Sequence, residues 1–131
     1  MATISPTRRT TIQLQKDPNV LMYDITEKWQ AFGPRKNGGR GIRKDTFGII
    51  DIIALDRIKG VRGIQSTGTA FAPHLKALLT EKREAAICWL SMPGTTLELW
   101  GWKKNSKGRY VMRFMEFKMS DFLIQDGPFA S

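Results

Sequence analysis

Asp51 is the one charged residue in the apolar run Phe47-Gly48-Ile49-Ile50-Asp51-Ile52-Ile53-Ala54-Leu55. An ionised carboxylate buried alone is very costly, so a counter-charge or a metal is expected beside it. If the run pairs with Val61–Thr67 in a hairpin that turns near Ile58-Lys59, Asp51 falls opposite roughly residues 65–67. Asp51 and Gln65 or Thr67 then project from one face. A carboxylate oxygen and an amide oxygen placed that way can share one hard divalent cation, Mg²⁺ or Mn²⁺. The same spacing also fits an Asp that serves only a neighbouring Arg or a backbone N–H, with Gln65 merely at a sheet end.

The cations form two clusters. Residues 33–44 hold four glycines, one proline and five cations, and read as a flexible basic loop. Glycine there lets backbone approach phosphates, while Arg35, Lys36, Arg40, Arg43 and Lys44 neutralise them. Lys103, Lys104, Lys107 and Arg109 form the second cluster. Two basic clusters flanking an acidic site suit duplex or branched DNA lying across it. No base-reading motif is visible, so recognition by shape and backbone is expected. The balance of the whole chain agrees: 21 Lys+Arg against 12 Asp+Glu give a net charge of +9, which favours a polyanionic partner.

Other chemistries are excluded or weak. One cysteine forbids an internal disulfide, and one histidine with one cysteine cannot build an ordinary zinc site. Cys88 lies in the run Ala85–Leu90 and reads as a buried small hydrophobe. His74 reads as a surface or capping residue at a helix start, and the tryptophans 29, 89, 100 and 102 as core more than base-stacking platforms. No apolar stretch is long enough to span a membrane and no export signal is evident, so a cytoplasmic protein without membrane contact is expected.

The elements that must hold these residues follow from pattern. The 131 residues make one domain, with residues 1–10 as a loose lead-in. Ser5-Pro6 could open a helix, whereas Thr10–Gln15 alternates like a strand; the residues leave both open. Val20–Trp29 reads as a strand, 47–55 as a central strand and 61–67 as its hairpin partner. Residues 69–83 suit a helix capped by Thr69, and 85–91 a short buried strand or helix end. Residues 96–102 and 110–119 complete the strands, the last with a bulge expected between Phe114 and Met115. The class is α/β or α+β, a central mixed sheet flanked by helices.

The segment Phe47-Gly48-Ile49-Ile50-Asp51, followed about fourteen residues later by Ile64-Gln65-Ser66-Thr67, resembles the PD-(D/E)XK nuclease superfamily. Arg43–Asp51 and Gly101-Trp102-Lys103-Lys104 look more narrowly like its small phage-type members, resolvase-like and restriction-like. The resemblance covers about residues 20–114. It implies a restriction-endonuclease-like core of helix, three strands, helix and strand. It further implies metal-dependent cleavage of DNA, with activity on branched substrates such as a Holliday junction, and a homodimer in the cytoplasm of a phage-infected host. Asp51 and Gln65 would hold Mg²⁺ or Mn²⁺, with Asp45 as a second-ranked ligand. Gln65 stands where Glu or Asp is usual, and Thr67 where the catalytic Lys is expected. Lys76 on the following helix, or Lys44, would replace it. The alternative on the same fold is a catalytically degenerate DNA-binding or partner-binding module, such as a phage protein acting on a host nucleic-acid-handling complex.

Overall fold

The computed structural model describes residues 4–31 and 41–123, with side chains except at 28–31, 41–44 and 123. The elements in order are α1 (Pro6–Gln15), β1 (Val20–Ile25), β2 (Lys28–Ala31), β3 (Gly41–Lys44), β4 (Ile52–Asp56), β5 (Gly60–Thr67), α2 (Phe71–Leu79), α3 (Arg83–Leu90), β6 (Thr95–Lys104), β7 (Tyr110–Phe117) and α4 (Met119–Leu123). Five strands form one sheet in the order β1-β4-β5-β6-β7, and β2 and β3 pair separately. β5 and β6 run parallel, joined through α2 and α3, while the other neighbours are antiparallel. The class is α+β with a mixed sheet flanked by helices, as expected.

Both faces of the sheet are covered. α1 lies on one, where Leu14 packs with Ile52, Ala54, Ile64 and Trp100. α2, α3 and α4 lie on the other, where Phe71, Leu78, Ala86 and Phe122 pack with Ile49, Ile50, Leu97, Leu99 and Phe117. Under α1 sits a buried ion network. Arg62 donates to Glu98 through Nε at 2.8 Å and Nη2 at 2.7 Å, and through Nη1 to Asp56 at 3.2 Å. Glu98 also accepts Thr96 Oγ1 at 2.8 Å and Trp100 Nε1 at 3.0 Å, so this fully buried carboxylate is well supplied with donors.

Several expectations change. The lead-in is a helix from Pro6 on, because Ser5 Oγ accepts the Arg8 N–H at 3.1 Å and proline occupies the first turn. The apparent alternation at 10–15 is the i, i+4 pair Thr10 and Leu14 facing the sheet. The strand expected over 20–29 stops at Ile25, since Thr26 and Glu27 turn their N–H groups onto Asp51 O at 2.7 and 3.2 Å. Of the expected loop 33–44, Gly41–Lys44 is strand β3, and residues 32–40 lie outside the described residues. The central strand begins at Ile52, not Phe47. Residues 46–50 form a tight turn with left-handed Phe47 (φ 58°) and Gly48 (φ 74°), which folds Ile49 and Ile50 into the helical core. An apolar run buried in a turn is indistinguishable by pattern from a central strand.

The helix expected over 69–83 is two helices, with Ala70 rather than Thr69 at the first N-cap; 85–91 falls mainly in the second. Cys88 is exposed, not core: α3 turns it outward into an apolar groove with Phe47, Ala85, Trp89 and Met92. β7 has no bulge, for its pairing with β6 is continuous from Leu97–Phe117 to Lys104–Tyr110. Its apolar residues change face because both faces have work: Phe114 meets Trp100 edge-on, and Met115 packs under the helices.

The pairing brings the C-terminal ends of β1, β5 and β6 to one rim with the beginnings of β4 and β7. The candidate residues gather along that rim.

Candidate functional site

Asp51 sits immediately before β4 and is 5% exposed. Its N–H donates to Ile64 O at 2.8 Å, and its Oδ2 accepts the Ser66 N–H at 2.9 Å. The carboxylate therefore lies within one peptide unit of Gln65. Burial pushes the Asp51 carboxyl up to about 7 against the Ser66 hydrogen bond, which lowers it; Glu27 and Asp45 raise it further, Asp45 also through a side-chain hydrogen bond. Three carboxylates thus crowd the rim where β1, β4 and β5 meet. Glu27 was missed by sequence reasoning. Its signal is faint: a lone Glu just past an apolar strand.

Gln65 is 4% exposed and faces the α2–α3 layer, on the same side of the sheet as Leu99 across the parallel pair. Its Oε1 is buried and meets no donor among the described residues. A buried acceptor left unpaired costs roughly 1–3 kcal/mol, and protein groups of that kind call for an explanation. Among the described residues, no cluster of three or more His, Cys, Asp or Glu side chains is arranged to hold a metal. The hard oxygen donors at this rim are the Asp51 and Asp45 carboxylates and the Gln65 amide oxygen, with Glu27 adding charge nearby. That set suits Mg²⁺ or Mn²⁺, which keep several waters and take only one or two carboxylates from the protein.

Thr67 is buried on the same face, two residues beyond Gln65 and paired with Gly101. Lys76 is exposed on α2, and no described contact joins it to Asp51. The lysine found against the Asp51 loop is instead Lys82, whose Nζ donates to Gly48 O at 2.6 Å. Sequence reasoning missed it because it lies in the break between two helices read as one. His74 is occupied locally, its Nδ1 2.8 Å from Ala70 O.

Of the expected nucleic-acid contacts, Lys103 and Lys104 end β6 on the rim and are exposed; Lys107 and Arg109 follow in the turn to β7. Arg35, Lys36 and Arg40 lie outside the described residues, and the side chains of Arg43 and Lys44 do too. The indole N–H groups of Trp89, Trp100 and Trp102 are spent inside the fold, on Thr96 O, Glu98 Oε1 and Thr10 Oγ1. Those three are structural; the Trp29 side chain lies outside the described residues. Among the described residues no helix is long and apolar enough to cross a membrane.

Comparison with family models, with curated proteins and with solved structures finds no match to this chain.

Proposed function

We propose that the chain is a metal-dependent DNA endonuclease of the PD-(D/E)XK type. The observation that carries this reading is a buried carboxylate raised to about 7, bonded to the Ser66 N–H, with the neighbouring residue, Gln65, burying a side-chain amide oxygen that meets no donor among the described residues. The element order supports it: helix, three antiparallel strands, a helical crossover and a parallel strand.

On this reading Asp51, ionised, supplies the anionic ligand oxygen and Gln65 Oε1 the neutral one, with Asp45 adjoining them. Asp51 Oδ2 is already oriented by Ser66, which fixes the plane of its carboxylate. Glu27 adds negative charge that favours a cation over a vacant site. A divalent cation bound there supplies Lewis acidity, which makes a water nucleophilic near neutral pH and offsets charge on the phosphate. The overall reaction adds one water across a phosphodiester, breaking one P–O bond to leave a phosphate monoester and a hydroxyl. Thr67 can orient a water but adds no positive charge; Lys82, held on Gly48 O beside the Asp51 loop, is the lysine that would serve the departing oxygen. Cleavage of both strands of a branched duplex calls for two such sites, so the reading carries a homodimer working in the cytoplasm on DNA.

The second reading is a DNA-binding module whose site has lost activity. It is favoured by Thr67, which occupies the lysine position buried and uncharged. Incubating linear and four-way-junction DNA with the protein in Mg²⁺ and Mn²⁺ separates the two. Products that require the metal support the enzyme; binding without cleavage supports the module.

A further inference from the structure

We infer that two adjoining clefts beside the candidate site form a clamp for the sugar–phosphate backbone of the same DNA strand, with Arg9 and Arg113 as its jaws. The inference rests on the DNA reading above and extends it to residues that the sequence did not single out. One cleft, of about 350 Å³, is lined by Thr69, Phe71, Gly101, Lys103 and Arg113. The other, of about 290 Å³, is lined by Pro6, Arg9, Trp102, Lys103, Lys104 and Tyr110. They share Gly68, Thr69 and Lys103, so one ridge divides them.

Each arginine is held the same way. The Arg9 guanidinium lies 3.4 Å from the centroid of the Tyr110 ring, and that of Arg113 lies 4.2 Å from the centroid of Phe71. Stacking fixes a guanidinium plane and leaves its N–H edge free for phosphate oxygens. Phe71 can serve as that platform because residue 101 is glycine: a Cβ there would lie 2.5 Å from Phe71 Cδ2. Among the described residues no carboxylate pairs with Arg9, Lys103, Lys104 or Arg113.

Register connects the Arg113 cleft to the candidate site, while Arg9, on α1, comes to the rim from the other face of the sheet. Thr67 pairs with Gly101, which pairs with Arg113, so the three share a face with Gln65. Two residues along β5 and two strand spacings across place Arg113 about 12 Å from Gln65, a separation that a few nucleotides of one strand can span. A strand with one phosphate at Asp51–Gln65 thus reaches the clefts along the rim.

The test is binding of fluorescein-labelled duplex DNA in EDTA by anisotropy over a salt series. The Arg9→Gln/Arg113→Gln variant should lower the slope of log affinity against log salt by about two. The control Arg57→Gln/Lys59→Gln, at the opposite rim, should leave it unchanged. If loss of Arg9 impairs folding, Lys103→Gln/Arg113→Gln, both exposed on the surface, reads the same change. A wild-type slope and affinity in the cleft variants, an equal loss in the control, or no binding by wild type at low salt overturns the clamp. Cleavage by wild type in Mn²⁺ is scored in parallel. Cleavage with binding indifferent to the cleft variants leaves the nuclease and removes the clamp; slope changes without cleavage do the reverse.

Discussion

The carboxylate of Asp51 is tied to the backbone beside Gln65, and the two bury complementary deficits: Asp51 resists ionisation, and Gln65 Oε1 lacks a donor. On the proposed reading, a bound cation would relieve both deficits.

The first prediction is that Asp51 is maintained at a cost to stability. Its carboxyl is raised from 3.8 to about 7, so the folded chain holds its proton more tightly than the unfolded chain. Stability is therefore lost as pH rises through that window. Asp51→Asn keeps the Ser66 acceptor and removes the charge. Its melting temperature should match wild type near pH ~4 and exceed it at about pH 8. A variant less stable than wild type at every pH would mark Asp51 as structural.

The ion network under α1 should behave in the opposite sense. Burial disfavours the charges of Asp56 and Glu98, but their donors win: N–H groups of Lys59 and Ile58 and then Arg62 for Asp56, and Arg62, Trp100 and Thr96 for Glu98. Both carboxyls are held below their ordinary values of 3.8 and 4.5. The unfolded chain takes up these protons first as pH falls, so this stability is present above about pH 5 and lost in acid. Arg62→Met strands two buried carboxylates and should cost about 3–5 kcal/mol in urea unfolding at neutral pH. It should also abolish the acid-side loss.

Gly60 ends the β4–β5 hairpin with φ 87°, and a Cβ there would strike the carbonyl oxygen of Gly94. Gly60→Ala should cost roughly 1–3 kcal/mol from backbone strain alone, measured by denaturant midpoint. Gly108, with φ 78° and open space around it, should pay only the backbone part.

Gln65→Glu adds one negative charge at the donorless oxygen. Without metal it should destabilise the fold, by adding a further carboxylate to Asp51, Asp45 and Glu27. With Mn²⁺ it should gain more in melting temperature than wild type does, and calorimetry should show tighter binding accompanied by proton release. Equal Mn²⁺ responses in the two proteins would remove Gln65 from the ligand set.

What the sequence made legible tracks the physics of each segment. Strands with one periodicity and clear turns, 61–67 and 96–102, lie where the pattern put them. The 46–50 turn did not, because Ile49 and Ile50 are as apolar as strand residues and the left-handed Phe47 and Gly48 that make the turn do not show in the pattern. Cys88 looked buried because its neighbours are apolar, yet α3 turns it to the surface. Asp51 stood out because a charge inside an apolar run needs a reason, and Gln65 because the hairpin sets it opposite Asp51. Glu27, Lys82, Arg9 and Arg113 did not, since each sits among ordinary surface residues and gains meaning only from what the fold sets beside it.

The central claim is tested most directly by cleavage of linear and four-way-junction DNA in Mn²⁺, with wild type and Asp51→Asn compared side by side. The account predicts Mn²⁺-dependent products from wild type and none from Asp51→Asn, whose DNA binding in EDTA persists or tightens as a charge near the phosphates is lost. No products from wild type across both metals and both substrates, or equal cleavage by the two proteins, would contradict it.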